Sequence, residues 1–285
     1  MITIHSEAAA VVIAHYHSEG RVAAHLVNFI AYISSHVTPH IVLVSTGISD
    51  ESRERVESYC QVIRRENIGY DFWSYKVGLQ ALPQNINWSR WVIINSSIVI
   101  SNPAKLAEEL FSRPPGHGLV GLTCSEDIGA HVQSYCVAFE GEEFLRSGVM
   151  RKWWGDMQPI SERQRVIEVY EVGMTQYFAR NGVPVRVLYL PTQGEKAMAI
   201  MRSIVESGRQ FNISANQWHF SFSLSTSINL NPTHYMWDAI FKRFGIIKLD
   251  FLRKSIFSSQ LLSYIQESPD LVERGIPQLI DDALK

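Results

Sequence analysis

The chain has 285 residues, 46% hydrophobic and 19% charged, with a formal net charge of −2. That suffices for one large α/β domain or two small ones, and it leaves no positive field to draw in nucleic acid. Cys60, Cys124 and Cys136 form neither a CxxC pair nor an even framework, which argues against a structural zinc site and for a reducing compartment. The first seven residues hold no basic segment ahead of an apolar core, and no apolar run approaches the ~20 residues that cross a bilayer. The expectation is a cytoplasmic protein, either free or peripheral on the cytoplasmic face of a membrane.

In chain order, the continuous apolar run 11–14, rich in β-branched residues, reads as a buried parallel strand. A helix over 22–33 follows, then a strand over 41–44. Ser49 or Asp50 caps a charged helix over 51–60, and 62–64 is a weak strand. Next comes Asn67-Ile68-Gly69-Tyr70-Asp71-Phe72, too polar and aromatic for a core element and suited to the floor of a ligand pocket. A helix over 75–82, a strand over 91–94 ending in Asn95-Ser96-Ser97, and a helix over 103–111 come after it. Strands over 119–123 and 135–139 flank a polar loop, 163–180 reads as one long helix stopped by Asn181-Gly182, and 185–189 returns as a strand. Residues 194–209 read as helix and 212–230 give no clear pattern. A domain over 1–255 with a tail of one or two amphipathic helices over 256–285, docked on the same domain, is expected. The alternation of strand and helix predicts an α/β fold, mostly parallel, with ligand groups at the carboxyl ends of the strands.

Four segments carry a resemblance. They are Asn67-Ile68-Gly69-Tyr70-Asp71-Phe72 with Lys76 and Gly78-Leu79; His131-Val132-Gln133-Ser134-Tyr135; Tyr170-Glu171-Val172-Gly173; and Asn231-Pro232-Thr233-His234-Tyr235 with Trp237. In this order the chain resembles the rhamnan synthesis protein F family of bacterial polysaccharide glycosyltransferases over about residues 11–255. The resemblance implies a GT-A-like, Rossmann-type sheet with a helical extension. It also implies transfer of a sugar, with rhamnose from dTDP-rhamnose the leading donor and UDP- or GDP-sugars the others, to a glycan or lipid-linked glycan. A non-catalytic nucleotide- or glycan-binding subunit of an assembly complex is the alternative.

On that reading, Ala14, His15, Tyr16 and Thr46 lie at adjacent strand ends where a nucleobase rests, and Asn67, Gly69, Tyr70 and Asp71 close over base and ribose. GT-A enzymes place an acidic motif after the strand equivalent to 91–94, to hold Mg²⁺ or Mn²⁺ under the diphosphate. Here Asn95, Ser96 and Ser97 carry no carboxylate. Three explanations stay open: metal independence with Lys76, Arg65 or histidines as counter-charges, a carboxylate such as Asp71 or Asp127 from elsewhere, or lost activity. The first is favoured. Glu171 is the leading general base, with Asp127 as the second catalytic candidate and Glu126 and Glu168 as rivals. His131, Gln133 and Ser134, together with His234 and Trp237, are expected on the acceptor or sugar side.

Overall fold

The computed structural model describes residues 6, 8–126, 128–210 and 230–285, the side chains of 207–210 excepted. Asp127 and nearly all of the stretch 212–230 lie outside the described residues. A seven-stranded sheet runs in the order β10-β6-β9-β4-β1-β2-β3. It is built from β1 (Ala9–His15), β2 (Ile41–Ser45), β3 (Gln61–Arg64), β4 (Arg90–Asn95), β6 (Gly118–Gly121), β9 (Cys136–Glu140) and β10 (Val185–Val187). All pairings are parallel except those of β9, which runs against both β4 and β6.

The interior strand β1 is apolar nearly throughout because helices cover both of its faces. Ala9, Val11 and Ile13 enter the core beneath α1 (Ala24–His36) and α4 (Pro103–Phe111). Ala10, Val12 and Ala14 enter the opposite core, beneath α3 (Tyr70–Gln80) and Trp154. This two-residue alternation is the strand's own geometry. Helix α3 lies very close to β1: a Cβ on Gly78 would stand 2.3 Å from Val12 Cγ1. Pairing aligns Ala14 with Val44 and with Asn95, so the strand tips end at one level. The chain moves outward to β2 and β3 on one side of β1 and to β4 on the other, which opens a crevice at the reversal.

Several elements differ from expectation. Helix α2 is only Asp50–Glu54, capped by Ser49 Oγ, and turns replace its second half. Helix α3 starts at Tyr70 rather than at 75. The helix over 163–180 is interrupted: α-helical Arg163–Val166 and Gly173–Arg180 flank a π-helical stretch, Ile167–Val172. A short strand β11 (Ile246–Lys248) pairs antiparallel with β5 (Ile98–Ile100), just past the tip of β4. After helix Leu249–Lys254, the tail forms three helices, Ser258–Gln266, Pro269–Glu273 and Ile276–Leu284. The last docks on α1, where Asp282 accepts the Ala24 N–H at 2.6 Å and pairs with Arg21. Among the described residues, no helix is long and apolar enough to cross a membrane.

Glu140, at the end of β9, is fully buried beneath three guanidinium groups. Arg90 Nε (3.2 Å), Arg113 NH1 (3.0 Å), Arg186 NH2 (2.9 Å) and the Gly116 N–H (3.0 Å) all donate to its carboxylate. It anchors the antiparallel strand between its parallel neighbours. Removing one partner of a buried charge network leaves the others uncompensated, so Glu140→Ala should cost about 3–5 kcal/mol in urea-unfolding measurements. A loss below about 1 kcal/mol would show that the network is solvated in practice.

Candidate active site

The loop between β3 and α3 is held by one side chain. Arg65 spreads its fork over the Glu66 (2.7 Å), Ile68 (2.5 Å) and Tyr70 (2.6 Å) carbonyls and Ser74 Oγ (3.0 Å from Nε). Gly69 then turns at φ +70°, which favours glycine, and Tyr70 adopts φ +52°, a sparsely populated conformation for a bulky residue. This strained turn presents Tyr70 and Asp71 to the strand tips.

Two cavities meet there. One, of about 250 Å³, is lined by Asp71, Asn95, Ser97, Ser134, Glu171 and Lys248, among others. On its floor runs a directed chain of hydrogen bonds. Lys248 Nζ donates to Ser97 Oγ (2.7 Å), Ser97 Oγ donates to Asn95 Oδ1, and Asn95 Nδ2 donates to Asp71 Oδ2 (2.7 Å). Glu171 stands in the π-helical stretch, a local widening that recurs at functional sites. Its Oε1 accepts from Ser134 N–H (2.7 Å) and Oγ (3.0 Å), and Tyr75 OH steadies the Ser134 carbonyl (3.0 Å). Arg163, Asn231, His234 and Asp250 complete the rim. The second cavity, of about 340 Å³, lies between His15, Tyr16, Thr46 and Asn67 and shares Tyr70 and Asp71 with the first. Thr46 Oγ1 is buried there without a hydrogen-bond partner.

The geometry thus brings together His15, Tyr16, Thr46, Asn67, Tyr70, Asp71, Asn95, Ser97, Gln133, Ser134, Glu171 and His234. Gln133 takes part through Thr123 Oγ1 (2.7 Å) and Asn231 Oδ1 (3.3 Å). Other candidates sit elsewhere. Lys76 lies under the helix Gly148–Asp156, its ammonium spent on the Gly155 (3.1 Å) and Met157 (2.7 Å) carbonyls and over the Trp73 ring, so it offers no counter-charge to the cleft. His131, in the short hairpin of β7 (Cys124–Ser125) and β8 (His131–Val132), bonds the Gly129 carbonyl (2.6 Å) and is buried away from the cavity. Trp237 is buried in the apolar cluster formed with the C-terminal helices, tilted on Phe251 with Arg202 over its ring. Ser96 turns to the Tyr16 N–H (3.2 Å), Ala14 contributes only its carbonyl to Ser96 N–H (3.0 Å), and Gly69 is covered by Trp73. Glu168 is exposed and bonded to Gln164. Lys248, Arg163 and Asp250 went unseen in the sequence, where nothing local marks them.

Burial is the chief influence on the charges here. It pushes the Asp71 carboxyl above the usual range, with Glu171 adding to the rise while Asn95, Lys248 and Arg65 oppose it. It pushes the Lys248 ammonium down, against Glu171, Asp71 and Asp250. Burial works against the Asp250 carboxylate too, but Lys254, Lys248 and Arg163 outweigh it and hold its pKa low. Nearby, His15 Nε2 faces the Arg21 carbonyl (3.1 Å), which can only accept. The ring therefore carries its proton on Nε2 and accepts from Ser45 Oγ at Nδ1 (2.9 Å). His25 Nδ1 accepts the Ile100 N–H (3.2 Å).

The fold and cleft define the class: a mostly parallel, doubly covered α/β sheet with a polar, carboxylate-bearing cleft at the carboxyl ends of its strands. The chain belongs to the rhamnan synthesis protein F family, which it matches over residues 41–207. It is 28% identical over 225 residues to virulence protein VirA of Vibrio anguillarum (strain ATCC 68554 / 775), covering 75% of this chain and 68% of that one. It is also 28% identical over 166 residues to protein y4gN of Sinorhizobium fredii, covering 55% of this chain and 43% of that one. Among solved structures it is similar to glycosyltransferase GlyE of Streptococcus pneumoniae TIGR4, at 14% identity and a TM-score of 0.41, over 71% of this chain and 49% of that one.

Burial, the largest influence on both rings, lowers the pKa of His15 and of His25 from 6.5 to about 4. Unfolded rings take up protons below about pH 6.5 while the folded ones refuse them. Stability should therefore be full above that pH and fall as the pH drops toward 4, by up to about 3 kcal/mol per ring. Denaturant unfolding across this window, with histidine ring NMR signals that stay neutral near about pH 5, checks it. Rings that titrate near pH 6.5 would contradict it.

Proposed function

We propose that this chain is a nucleotide-sugar glycosyltransferase whose donor spans the two adjoining cavities. The observation that carries the reading is the meeting of four strand ends, near Ala14, Thr46, Asn67 and Asn95, around a space shared by Tyr70 and Asp71. Together the cavities fall in the range of small-molecule sites, roughly 300–1,000 Å³. The nucleoside lies between Tyr16, Thr46 and Asn67, where the unpartnered Thr46 hydroxyl and the exposed Tyr16 ring offer a hydrogen bond and a stacking face. The diphosphate then reaches the β4 tip, and the sugar lies between Asp71 and Glu171.

Glu171 takes the proton from the acceptor hydroxyl as that oxygen attacks the anomeric carbon, and the nucleoside diphosphate leaves from the opposite face. A single displacement of this kind inverts the configuration. The bonds from Ser134 fix Glu171 Oε1, so the carboxylate is oriented before the acceptor arrives. Membership of the family supports rhamnose from dTDP-rhamnose as the donor. It likewise supports a lipid-linked surface polysaccharide, growing at the cytoplasmic face of a bacterial envelope, as the acceptor.

Glu171→Gln should leave donor affinity unchanged and lower the release of nucleoside diphosphate by about 100- to 10,000-fold, the usual worth of a positioned base. Undiminished release would remove Glu171 from the role. A parent protein that binds nucleotide sugars but never turns them over would instead be a non-catalytic subunit of an assembly complex, the reading favoured by the lack of a carboxylate among Asn95, Ser96 and Ser97.

A further inference from the structure

We propose that Lys248 carries, within the polypeptide, the positive charge that a divalent cation would otherwise bring beneath the donor diphosphate. The inference rests on the reading of the cleft as a nucleotide-sugar site.

A hard cation does not fit the β4 tip. It requires several oxygen ligands, carboxylates foremost. Asn95 Oδ1 already accepts from Ser97 N–H (3.1 Å) and from Ser97 Oγ, and Asn95 Nδ2 occupies Asp71. Ser97 Oγ is itself taken by an ammonium at 2.7 Å, and a second cation there would meet like charge. Among the described residues, no group of three His, Cys, Asp or Glu side chains could hold a metal ion.

Lys248 is instead fastened where the diphosphate has to pass. Pairing of β11 with β5 sets Lys248 opposite Ile98, and the Leu249 N–H bonds the Ser97 carbonyl (2.9 Å). The ammonium sits 4.6 Å from the centre of the buried Tyr135 ring, a face that favours a cation. Of its three N–H donors one goes to Ser97, and among the described residues this is its one hydrogen bond. Two donors are thus left for an anion in the cavity that Lys248 lines. The other basic groups are committed or peripheral. Lys76 and Arg65 are spent on backbone carbonyls, and Arg163 is exposed, 3.8 Å from Asp250. Asp250 in turn pairs with Lys254 (3.3 Å), which relieves the repulsion an incoming diphosphate would meet.

Titration calorimetry on the full chain tests this, using dTDP, UDP, thymidine and uridine, in EDTA and with Mg²⁺ or Mn²⁺. The expected result is nucleoside diphosphate binding that EDTA leaves within about threefold of its value with metal. Lys248→Met should weaken it by about tenfold or more, the worth of one charged hydrogen bond, and leave nucleoside affinity unchanged. Lys248→Arg should keep most of it. If Lys248→Met does not fold, Ser97→Ala, which removes the ammonium's anchor, should weaken the diphosphates more than the nucleosides. Loss of diphosphate binding in EDTA, or equal binding by Lys248→Met, would overturn the assignment. Diphosphates and nucleosides that both fail to bind the parent protein would sink the nucleotide-site reading itself, and the role of Lys248 with it.

Discussion

One run of donors and acceptors, Lys248 to Ser97 to Asn95 to Asp71, ties three distant parts of the chain into a single site. Each hydrogen bond points the same way, so each polarises the next. Such a run costs more than it returns if any member is left unpaired in a partly buried cleft. It therefore requires its three backbones to be placed to within a fraction of an ångström. The sheet does this for Asn95 through the register with β1, Gly78 does it for Asp71 by letting α3 press on Val12, and the β5–β11 pair does it for Lys248.

Rigidity and strain are divided between these parts. The sheet and its two apolar cores form a platform on which few side chains could shift without opening voids. Among the described residues, Tyr70 is the one non-glycine residue at positive φ, and the Arg65 fork, bonded to three carbonyls of the same loop, holds it there. On the opposite wall the π-helical stretch carries Glu171, with Ser134 bonded to its carboxylate. The C-terminal helices belong to this design. Through Ile246–Lys248 they deliver a charged group to the cleft, and through Asp282 they brace the first helix of the sheet layer.

What could be read from residues alone followed from local rules. Buried parallel strands announce themselves as unbroken apolar runs rich in β-branched residues, as in Val11-Val12-Ile13-Ala14. A polar, glycine-marked turn such as Asn67–Asp71 has no place in a core, whereas Glu171 as a candidate base came from the family resemblance. Periodicity could not show that α3 begins at Tyr70, because a left-handed glycine there is a matter of backbone geometry. Nor could it separate a π-helical stretch from an ordinary helix, since the two differ by one residue in the span of each backbone hydrogen bond and not by composition.

The sequence determined by itself the alternating α/β plan, the order of its strands along the chain and the polar tips at their ends, because those depend on patterns within a few neighbouring residues. Only the tertiary structure decided which charges face the ligand. Lys76, inside the motif, is drawn off by two backbone carbonyls. Lys248, in a segment without any motif, is carried in by strand pairing. Charge placement in a cleft is a long-range property, fixed by which backbone groups compete for each donor once the chain has closed on itself.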